Sequence, residues 1–320
     1  MKRFILLVLL PFAILGCSGS NAKDTTPTFG NRKLAVTQTH QGARPIKVVC
    51  TIGMVADVVR NVGGKLVEVD QLLRDGVDPH GHTLNTDEVA RMSSADVIFY
   101  SGLHLEGKMT DALERLALKK PTFPVTEYLD SKSILLDEDN HPDPHVWFDV
   151  SLWREVADVI GNALSLYDPT NATSYKKNSE NYRAELSQLH EEAKTKIAAV
   201  QPNSKRVMIT SHDAFQYFGR AYDIEVKGIQ GISTEDEAGL GHINRLVDFI
   251  VARKVPAVFV ETSVSPRNMK SLLEGCKARK HNVVLGGELF SDAMGESGTP
   301  EGTYIGMIRH NVETITKALR

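Results

Sequence analysis

The chain has 320 residues, which is too long for one compact core and suits two domains of ordinary size. Its 42% apolar and 24% charged residues argue against a disordered chain, and its three cysteines are too few for a dense disulfide framework. With 37 Lys and Arg against 40 Asp and Glu, the net charge of −3 excludes the broad basic surface of a nucleic-acid-binding protein.

Residues 1–16 are predicted to be a signal peptide. Lys2 and Arg3 precede an apolar run from Phe4 to Gly16, which is too short to span a bilayer as a helix but fits a secretory signal. The run ends in Ile14-Leu15-Gly16-Cys17, which resembles the bacterial lipobox, so we expect Cys17 to be acylated and to become the mature N-terminus. A plain signal peptide with an incidental cysteine is the alternative.

Residues 17–44 are predicted to be a lipidated, flexible tether. The segment is polar and rich in Ser, Thr, Asn and Gly, a composition that does not form a packed core. We therefore expect an exported protein that is lipid-anchored and faces the periplasm or the extracellular side. We also expect it to be a monomer. The other two cysteines, Cys50 and Cys276, are expected to be buried free thiols.

From residue 46 onward, short β-branched segments alternate with helical segments, which predicts βα units and a mainly parallel sheet. The first half contains four candidate strands, at Ile46–Thr51, Leu66–Leu73, Asp96–Tyr100 and Thr122–Val125. The second half contains four more, at Arg206–Thr210, Glu225–Gln230, Ala257–Glu261 and Asn282–Leu285. The pattern predicts an α/β fold of two lobes, each a four-stranded mainly parallel sheet with flanking helices.

A long segment without strand character separates the two sets of strands. Its apolar residues recur three or four positions apart, which is helical spacing. They are Tyr182, Leu186, Leu189, Ala193, Ile197 and Val200. The stripe is too short for a coiled coil, so we predict a linking helix within residues 174–202, between an N-terminal lobe at 45–173 and a C-terminal lobe at 203–320.

Four potential metal ligands follow predicted strands. His80 comes after the second strand, His145 after the fourth, His212 after the fifth and Asp292 after the eighth. Ligands of open α/β sheets bind beyond the carboxyl ends of strands, so these side chains are expected to meet in the crevice between the lobes. Imidazole and carboxylate groups are ligands that zinc, manganese and iron accept.

Spacing alone leaves alternatives open. His82 and His141 are near enough in sequence to compete as ligands, and Asp292 could instead cap a helix. Five other histidines are expected to lie on the surface or to be hydrogen-bonded inside the protein. They are His40, His190, His242, His281 and His310.

Six motifs resemble those of the metal-binding lipoproteins of bacterial ABC importers, the cluster A-I solute-binding family, and above all its TroA-type members. They are Thr51–Val55, Gly76–His80, Tyr100–Glu106, Asp143–Asp149, Ser211–Phe218 and Gly286–Asp292. The resemblance runs from about Lys47 to the C-terminus. It implies two pseudo-symmetric lobes joined by one long helix, with a metal between them held by His80, His145, His212 and Asp292.

Two positions and one loop depart from the family's patterns. His82 stands where an aromatic residue is common, and His212 stands where manganese-dedicated relatives often place Glu. The long His- and acid-rich loop of many zinc-dedicated relatives is reduced to Leu136–Pro142, with the single His141. The nitrogen-rich ligand set favours Zn²⁺ by the Irving–Williams order, with Mn²⁺ or Fe²⁺ as alternatives.

A site with three histidine ligands and one aspartate ligand is compatible with two functions. The first is a solute-binding lipoprotein, not an enzyme, that captures a divalent metal and delivers it to an ABC permease. The second is a zinc hydrolase with the same ligands and Glu261 or Glu288 as general base. The sequence has no His-Glu-x-x-His helix and no Gly-x-Ser-x-Gly turn, which favours the carrier.

Acidic residues near the ligands are candidates to orient the imidazoles, since a metal-bound His usually donates its other N–H to a carboxylate or carbonyl. The candidates are Asp78, Asp149, Asp213 and Glu261, with helix capping or solvation as the alternative for each. Trp147 and Phe215 are expected to shield the site or pack the lobes together.

Overall fold

The computed structural model describes the backbone of residues 28–29 and all of residues 32–236 and 238–320. The predicted signal peptide and Cys17 lie outside these ranges. Within these ranges the structure begins with a short antiparallel pair that the sequence did not predict, β1 (Thr28–Phe29) and β2 (Arg32–Lys33). Among the described helices, none combines the length and the apolar character needed to cross a bilayer.

The first half of the chain contains a parallel four-stranded sheet in the order β4-β3-β5-β6. Its strands are β3 (Ile46–Cys50), β4 (Val67–Gln71), β5 (Val97–Tyr100) and β6 (Thr122–Pro124), close to the predicted bounds. Helices α1 (Gly53–Gly63), α2 (Thr86–Ser94) and α3 (Thr110–Ala117) connect them. The β-branched and apolar residues of β3 and β5 are buried, as expected of inner strands covered on both faces.

Two long helices follow, α4 (Val150–Tyr167) and α5 (Ala172–Ala198). Asp149 begins α4 by accepting hydrogen bonds from the backbone N–H groups of Ser151 and Leu152. With 27 residues, α5 is about 40 Å long and packs against α4, α1 and α9. The apolar stripe predicted for it is buried. A long helix joining the two halves is therefore confirmed; it begins two residues before the predicted segment 174–202 and ends four residues before the end of that segment.

The second half contains β7 (Val207–Thr210), β8 (Glu225–Gly228), β9 (Ala257–Glu261) and β10 (Val284–Leu289). They are hydrogen-bonded as two parallel pairs, β7 with β8 and β9 with β10, and β7 lies beside β9. The helices are α6 (Gln216–Tyr222), α7 (Leu240–Arg253), α8 (Arg267–Ala278) and α9 (Tyr304–Leu319).

Strand β10 is longer than the sequence predicted. The pattern ended the strand at Leu285 because two glycines follow, but the pairing with β9 continues through them to Leu289. A bulge between Leu285 and Gly287 absorbs the irregularity, and Gly287 has φ of 141°, which favours glycine. The extension brings the end of β10 to within three residues of Asp292.

Buried contacts join the two halves behind the strand ends. The indole N–H of Trp147, just before α4, donates to the carbonyl of Ser291 at 3.1 Å, and the hydroxyl of Tyr304 in α9 donates to the carbonyl of Trp147 at 2.6 Å. Trp147, Ser291 and Tyr304 are fully buried. Together with α5, these contacts fix the carboxyl ends of the two sets of strands against each other.

Candidate metal centre

Four side chains meet where the two halves face each other. His80 lies on a turn after β4, His145 on the loop before α4, His212 two residues after β7 and Asp292 three residues after β10. One ligand atom from each lies within 4.8 Å of the others. The structure thus brings together the four residues that the sequence analysis selected, two from each half.

The donor atoms converge on one point. Nε2 of His145 lies 3.3 Å from Nε2 of His80, 3.3 Å from Nε2 of His212 and 3.3 Å from Oδ1 of Asp292. Nε2 of His212 lies 3.3 Å from Oδ2 of Asp292. The side chains are buried: His80 is 6% exposed and Asp292 1%, while the other two are fully buried. Water therefore does little to solvate these groups.

The orientation of His145 is set by Asp143. Oδ1 of Asp143 accepts from the backbone N–H of His145 at 2.9 Å and from its Nδ1 at 2.8 Å. A carboxylate acceptor assigns the proton to Nδ1, so the lone pair of Nε2 points at the cluster. The intervening proline restricts the backbone of this turn.

His212 is held in the same way by Glu261, which ends β9. Oε1 of Glu261 accepts from the backbone N–H of His212 at 2.9 Å, and Oε2 accepts from Nδ1 at 2.5 Å. Both side chains are buried, and both carboxylate oxygens are used. This interaction again places a proton on Nδ1 of His212 and directs Nε2 at the cluster, where it can bind a metal ion.

His80 is held less tightly. Oδ1 of Asp78 accepts from the backbone N–H of His80 at 2.8 Å, and the other oxygen of Asp78 accepts from the hydroxyl of Thr234, which belongs to the second half. Among the described residues, Nδ1 of His80 has no hydrogen-bond partner. The turn is therefore fixed across the two halves, while the ring has no carboxylate behind it.

The electrostatics of the cluster favour a bound cation. Burial lowers the pKa of His80 to about 3, so this imidazole is neutral. Burial also disfavours the charged form of His145, but Asp143 and Asp292 outweigh it and raise the pKa of His145 to about 9. Oδ1 of Asp292 is buried without a hydrogen-bond partner. A buried carboxylate among imidazole lone pairs needs a positive charge, and a divalent metal supplies it.

The same balance acts on the other pair of ligands. For Asp292 burial alone would raise the pKa, but the neighbouring His212 and His145 hold the pKa well below its usual range. For His212 burial alone would lower the pKa, but Glu261 and Asp292 raise it well above the ordinary value. In the metal-free protein, protons on the imidazoles therefore take the place of the metal's charge.

The two competing histidines point elsewhere. Nε2 of His82 pairs with Oε2 of Glu88 at 2.9 Å, and Glu88 in turn closes the capping box of α2 with Asn85. The His141 side chain is 74% exposed and pairs with Asp137 at 3.1 Å. Neither belongs to the buried cluster.

Of the acids proposed to orient the imidazoles, the structure places one in that role. Glu261 holds the ring of His212, whereas Asp149 caps α4 and Asp213 accepts from the side chain of Gln216 at 2.7 Å. Asp78 holds the backbone of its histidine and not the ring.

A fifth acid, Asp143, which is not among the predicted candidates, holds the ring of His145. Its signal is the Asp-Pro-His spacing, which lets one carboxylate reach both the backbone N–H and the ring of the histidine. The same spacing at Asp78 gives the backbone bond alone, so the spacing is not sufficient.

The aromatic residues next to the ligands pack as expected. The ring of Trp147 lies 5.2 Å from the ring of His145, edge-on, and covers the cluster on one side. Phe215 stacks on Phe148 with ring centroids 4.1 Å apart. These rings exclude water from the ligands and join the halves.

Neither carboxylate considered as a general base is available for hydrolysis. Both oxygens of Glu261 accept hydrogen bonds from His212. Glu288 is exposed and lies on a groove beside α9 together with His310, whose ring bonds the Glu288 carbonyl. Within the described residues, the geometry is that of a closed binding site with four protein donors.

Comparison with known proteins agrees with this geometry. Residues 48–318 match the family described as zinc-uptake complex component A, periplasmic. The chain is 44% identical over 276 residues to the manganese-binding lipoprotein MntA of Bacillus subtilis, covering 86% of this chain and 90% of MntA. It is 40% identical over 294 residues to the zinc-binding protein TroA of Treponema pallidum, covering 92% of this chain and 93% of TroA.

A solved structure of the Treponema pallidum periplasmic zinc-binding protein TroA has the same fold. The two superpose with a TM-score of 0.84 at 41% identity, covering 86% of this chain and 99% of that structure. The two-lobe architecture with its long helix is therefore shared with a solved structure.

Proposed function

This chain belongs to the family of periplasmic components A of zinc-uptake complexes, and we propose that it captures a divalent transition-metal ion and delivers it to a membrane ABC permease. The relatives named above are metal-binding proteins, and this family serves transport and not catalysis. The observation that carries the proposal is the convergence of three imidazoles and a carboxylate, drawn from both halves and buried together.

We propose His80, His145, His212 and Asp292 as the ligands. Three nitrogen donors and one carboxylate fit the preferences of Zn²⁺, and the Irving–Williams order places zinc above manganese and iron for such a set. The relatives divide between the two metals, because MntA is named manganese-binding and TroA zinc-binding. We propose zinc first, with manganese or iron as the alternatives that metal availability would select.

The cellular setting follows from the same family. Its lipoprotein members imply an exported, membrane-anchored protein with a permease as partner. We further propose that Cys17 carries the lipid, that the monomer faces the periplasm or the extracellular side, and that the lobes comprise residues 45–173 and 203–320 with the linking helix between them.

Metal analysis of the purified protein tests the binding step. Protein prepared without chelator should contain about one equivalent of a divalent transition metal by mass spectrometry, and apoprotein should rebind zinc with the same stoichiometry. Protein that neither retains nor rebinds any transition metal would refute the proposal.

A cellular experiment tests delivery. Cells that lack the gene should accumulate less zinc or manganese at limiting supply, and the wild-type chain should restore accumulation. The variant His145→Ala should fail to do so, while His242→Ala, whose ring bonds the carbonyl of Gly228 outside the centre, should restore it. Equal restoration by both variants would contradict the assignment.

A further inference from the structure

A cavity of about 220 Å³ opens onto the metal centre at His80. Its walls come from three loops, at residues 103–107, 137–144 and 232–236. The first two belong to the N-terminal half and the third to the C-terminal half. Among the four clustered side chains, His80 alone lines this cavity.

The other three ligands are closed off from solvent. His145 and His212 are fully buried and have a carboxylate behind each ring, and Asp292 is 1% exposed. His80 keeps 6% of its surface exposed, and its Nδ1 bonds no group among the described residues. The solvent side of the centre is therefore the side of His80.

The outer part of the cavity carries groups that suit a cation in transit. Exposed His104 and His141 line it, together with Asp137 and Asp236. Asp137 holds His141 through its backbone N–H at 2.7 Å and its ring Nδ1 at 3.1 Å. Carboxylates attract a cation to the mouth, and exposed imidazoles bind one weakly enough to release it.

The backbone that presents His104 is strained. Leu103 and His104 have φ of 53° and 65°, a left-handed conformation that side chains other than glycine rarely adopt. The buried carboxylate of Glu106 fixes the turn by accepting from the N–H groups of Ser101 at 2.7 Å and Gly102 at 3.1 Å. Strain of this kind persists where the surrounding structure enforces it, and here it holds an imidazole at the cavity mouth.

We propose that this cavity is the passage through which the metal ion enters and leaves, and that His104 and His141 are transient ligands along it. The inference rests on the proposed function. A group that contacts the ion only in transit changes the free energy of neither the metal-free nor the metal-bound protein. Changes in the passage should therefore alter the association and dissociation rates by the same factor and leave Kd unchanged.

The first test narrows the passage. A Cβ at Gly107 would lie 3.5 Å from the carbonyl oxygen of His80, an ordinary contact, so Gly107→Ala is a matched control for Gly107→Phe. Ile232→Trp narrows the same cavity from the facing loop. Stopped-flow mixing with Zn²⁺ in the presence of a fluorescent zinc indicator follows association, and mixing the zinc-loaded protein with excess indicator follows dissociation. The signal does not depend on tryptophan, so the tryptophan that Ile232→Trp adds leaves the readout comparable between variants.

At least one of Gly107→Phe and Ile232→Trp should slow both the association and the dissociation rate by about tenfold, with Kd within about twofold of wild type. Gly107→Ala should leave both rates unchanged.

The second test removes the transient ligands. His104→Ala and His141→Ala together should lower both rates by about threefold or more at constant Kd, whereas His242→Ala should have no effect.

Two results would contradict the proposed passage for the metal ion. Wild-type rates in both narrowing variants would place the route elsewhere. A loss of affinity in the double histidine variant, with unchanged association, would make these residues part of the final site. Failure of the wild-type protein to bind zinc at all would instead refute the proposed function, so the two failures are distinguishable.

Discussion

His145 and His212, which belong to opposite halves of the chain, face each other with their Nε2 atoms 3.3 Å apart. Asp143 and Glu261 hold the Nδ1 protons on the far sides of the two rings. The facing nitrogens therefore present two lone pairs to each other, which is favourable only when a proton or a metal ion lies between them. This relationship makes the contact between the halves sensitive to metal and to pH.

Metal binding should stabilise the protein through ligands of both halves. At a free zinc concentration one hundred times Kd, linkage adds about 2.7 kcal/mol to the free energy of unfolding. His80→Ala and His212→Ala, one in each half, should each remove most of the zinc-induced rise in melting temperature. Differential scanning calorimetry with and without zinc measures the effect.

The matched control is His190→Ala, whose ring packs on Tyr222 with centroids 5.4 Å apart, away from the centre. It should keep the full zinc-induced rise. If His80→Ala abolished the rise while His212→Ala and Asp292→Ala both preserved it, the site would lie within one half.

Zinc affinity should rise with pH. The pKa of His145 in the metal-free protein is raised to about 9, so below that pH the metal must displace a proton from the site. His80, with a pKa of about 3, contributes no proton in the neutral range. The pKa of His212 is raised as well, so the metal displaces at least one proton, and affinity should increase about tenfold or more per pH unit between pH 6 and 8. Competition with a chelator of known pH dependence measures this slope, and a flat profile would argue against imidazole ligands.

Removing the carboxylates behind the rings should weaken binding without removing a ligand. Glu261→Gln and Asp143→Asn each replace a charged acceptor of an Nδ1 proton, and the loss of such partners costs about 10- to 100-fold in metal affinity. Isothermal titration of apoprotein with zinc measures the change.

Asp149→Ala is the control for these substitutions because Asp149 caps α4 and does not touch the ligands. Loss of the cap, together with the 3.2 Å ion pair to Arg220, should lower the free energy of unfolding by about 1 kcal/mol or more while zinc affinity stays at the wild-type value. Equal affinity losses in all three variants would indicate a general effect on the fold and not on the imidazoles.

Membrane attachment should depend on Cys17. Cys17→Ser should release the protein from the membrane fraction because the residue can no longer be acylated. The released protein should bind zinc normally, since the described centre begins more than sixty residues later at His80. Fractionation followed by immunoblotting provides the measurement. A variant that remains wholly in the membrane fraction would contradict the proposed anchor.

The sequence alone determined the main architecture. Alternation of strand and helix patterns predicted the eight strands of the two halves, and the stripe from Tyr182 to Val200 predicted the linking helix. These predictions succeed because they depend on local periodicity, which records which face of each element is buried. The meeting of the four candidate ligands was also predicted, because parallel strands bring their carboxyl ends to one edge of a sheet and each ligand follows a strand. The four are His80, His145, His212 and Asp292.

Only the tertiary structure decided how each side chain is used. His82 and His80 are two residues apart, yet Glu88 holds one ring away from the cluster while the other lies in it. Asp78 and Asp143 have the same spacing from a histidine, but Asp143 alone bonds the ring. Likewise, β10 extends through two glycines because β9 pairs with it. Some deciding contacts are local, such as Asp143 to His145, but others come from far along the chain: Thr234 reaches Asp78 across 156 residues, and Glu261 reaches His212 across 49. Local spacing sets which groups are near the site, whereas the orientation of each ring depends on which hydrogen bonds form once the chain has folded.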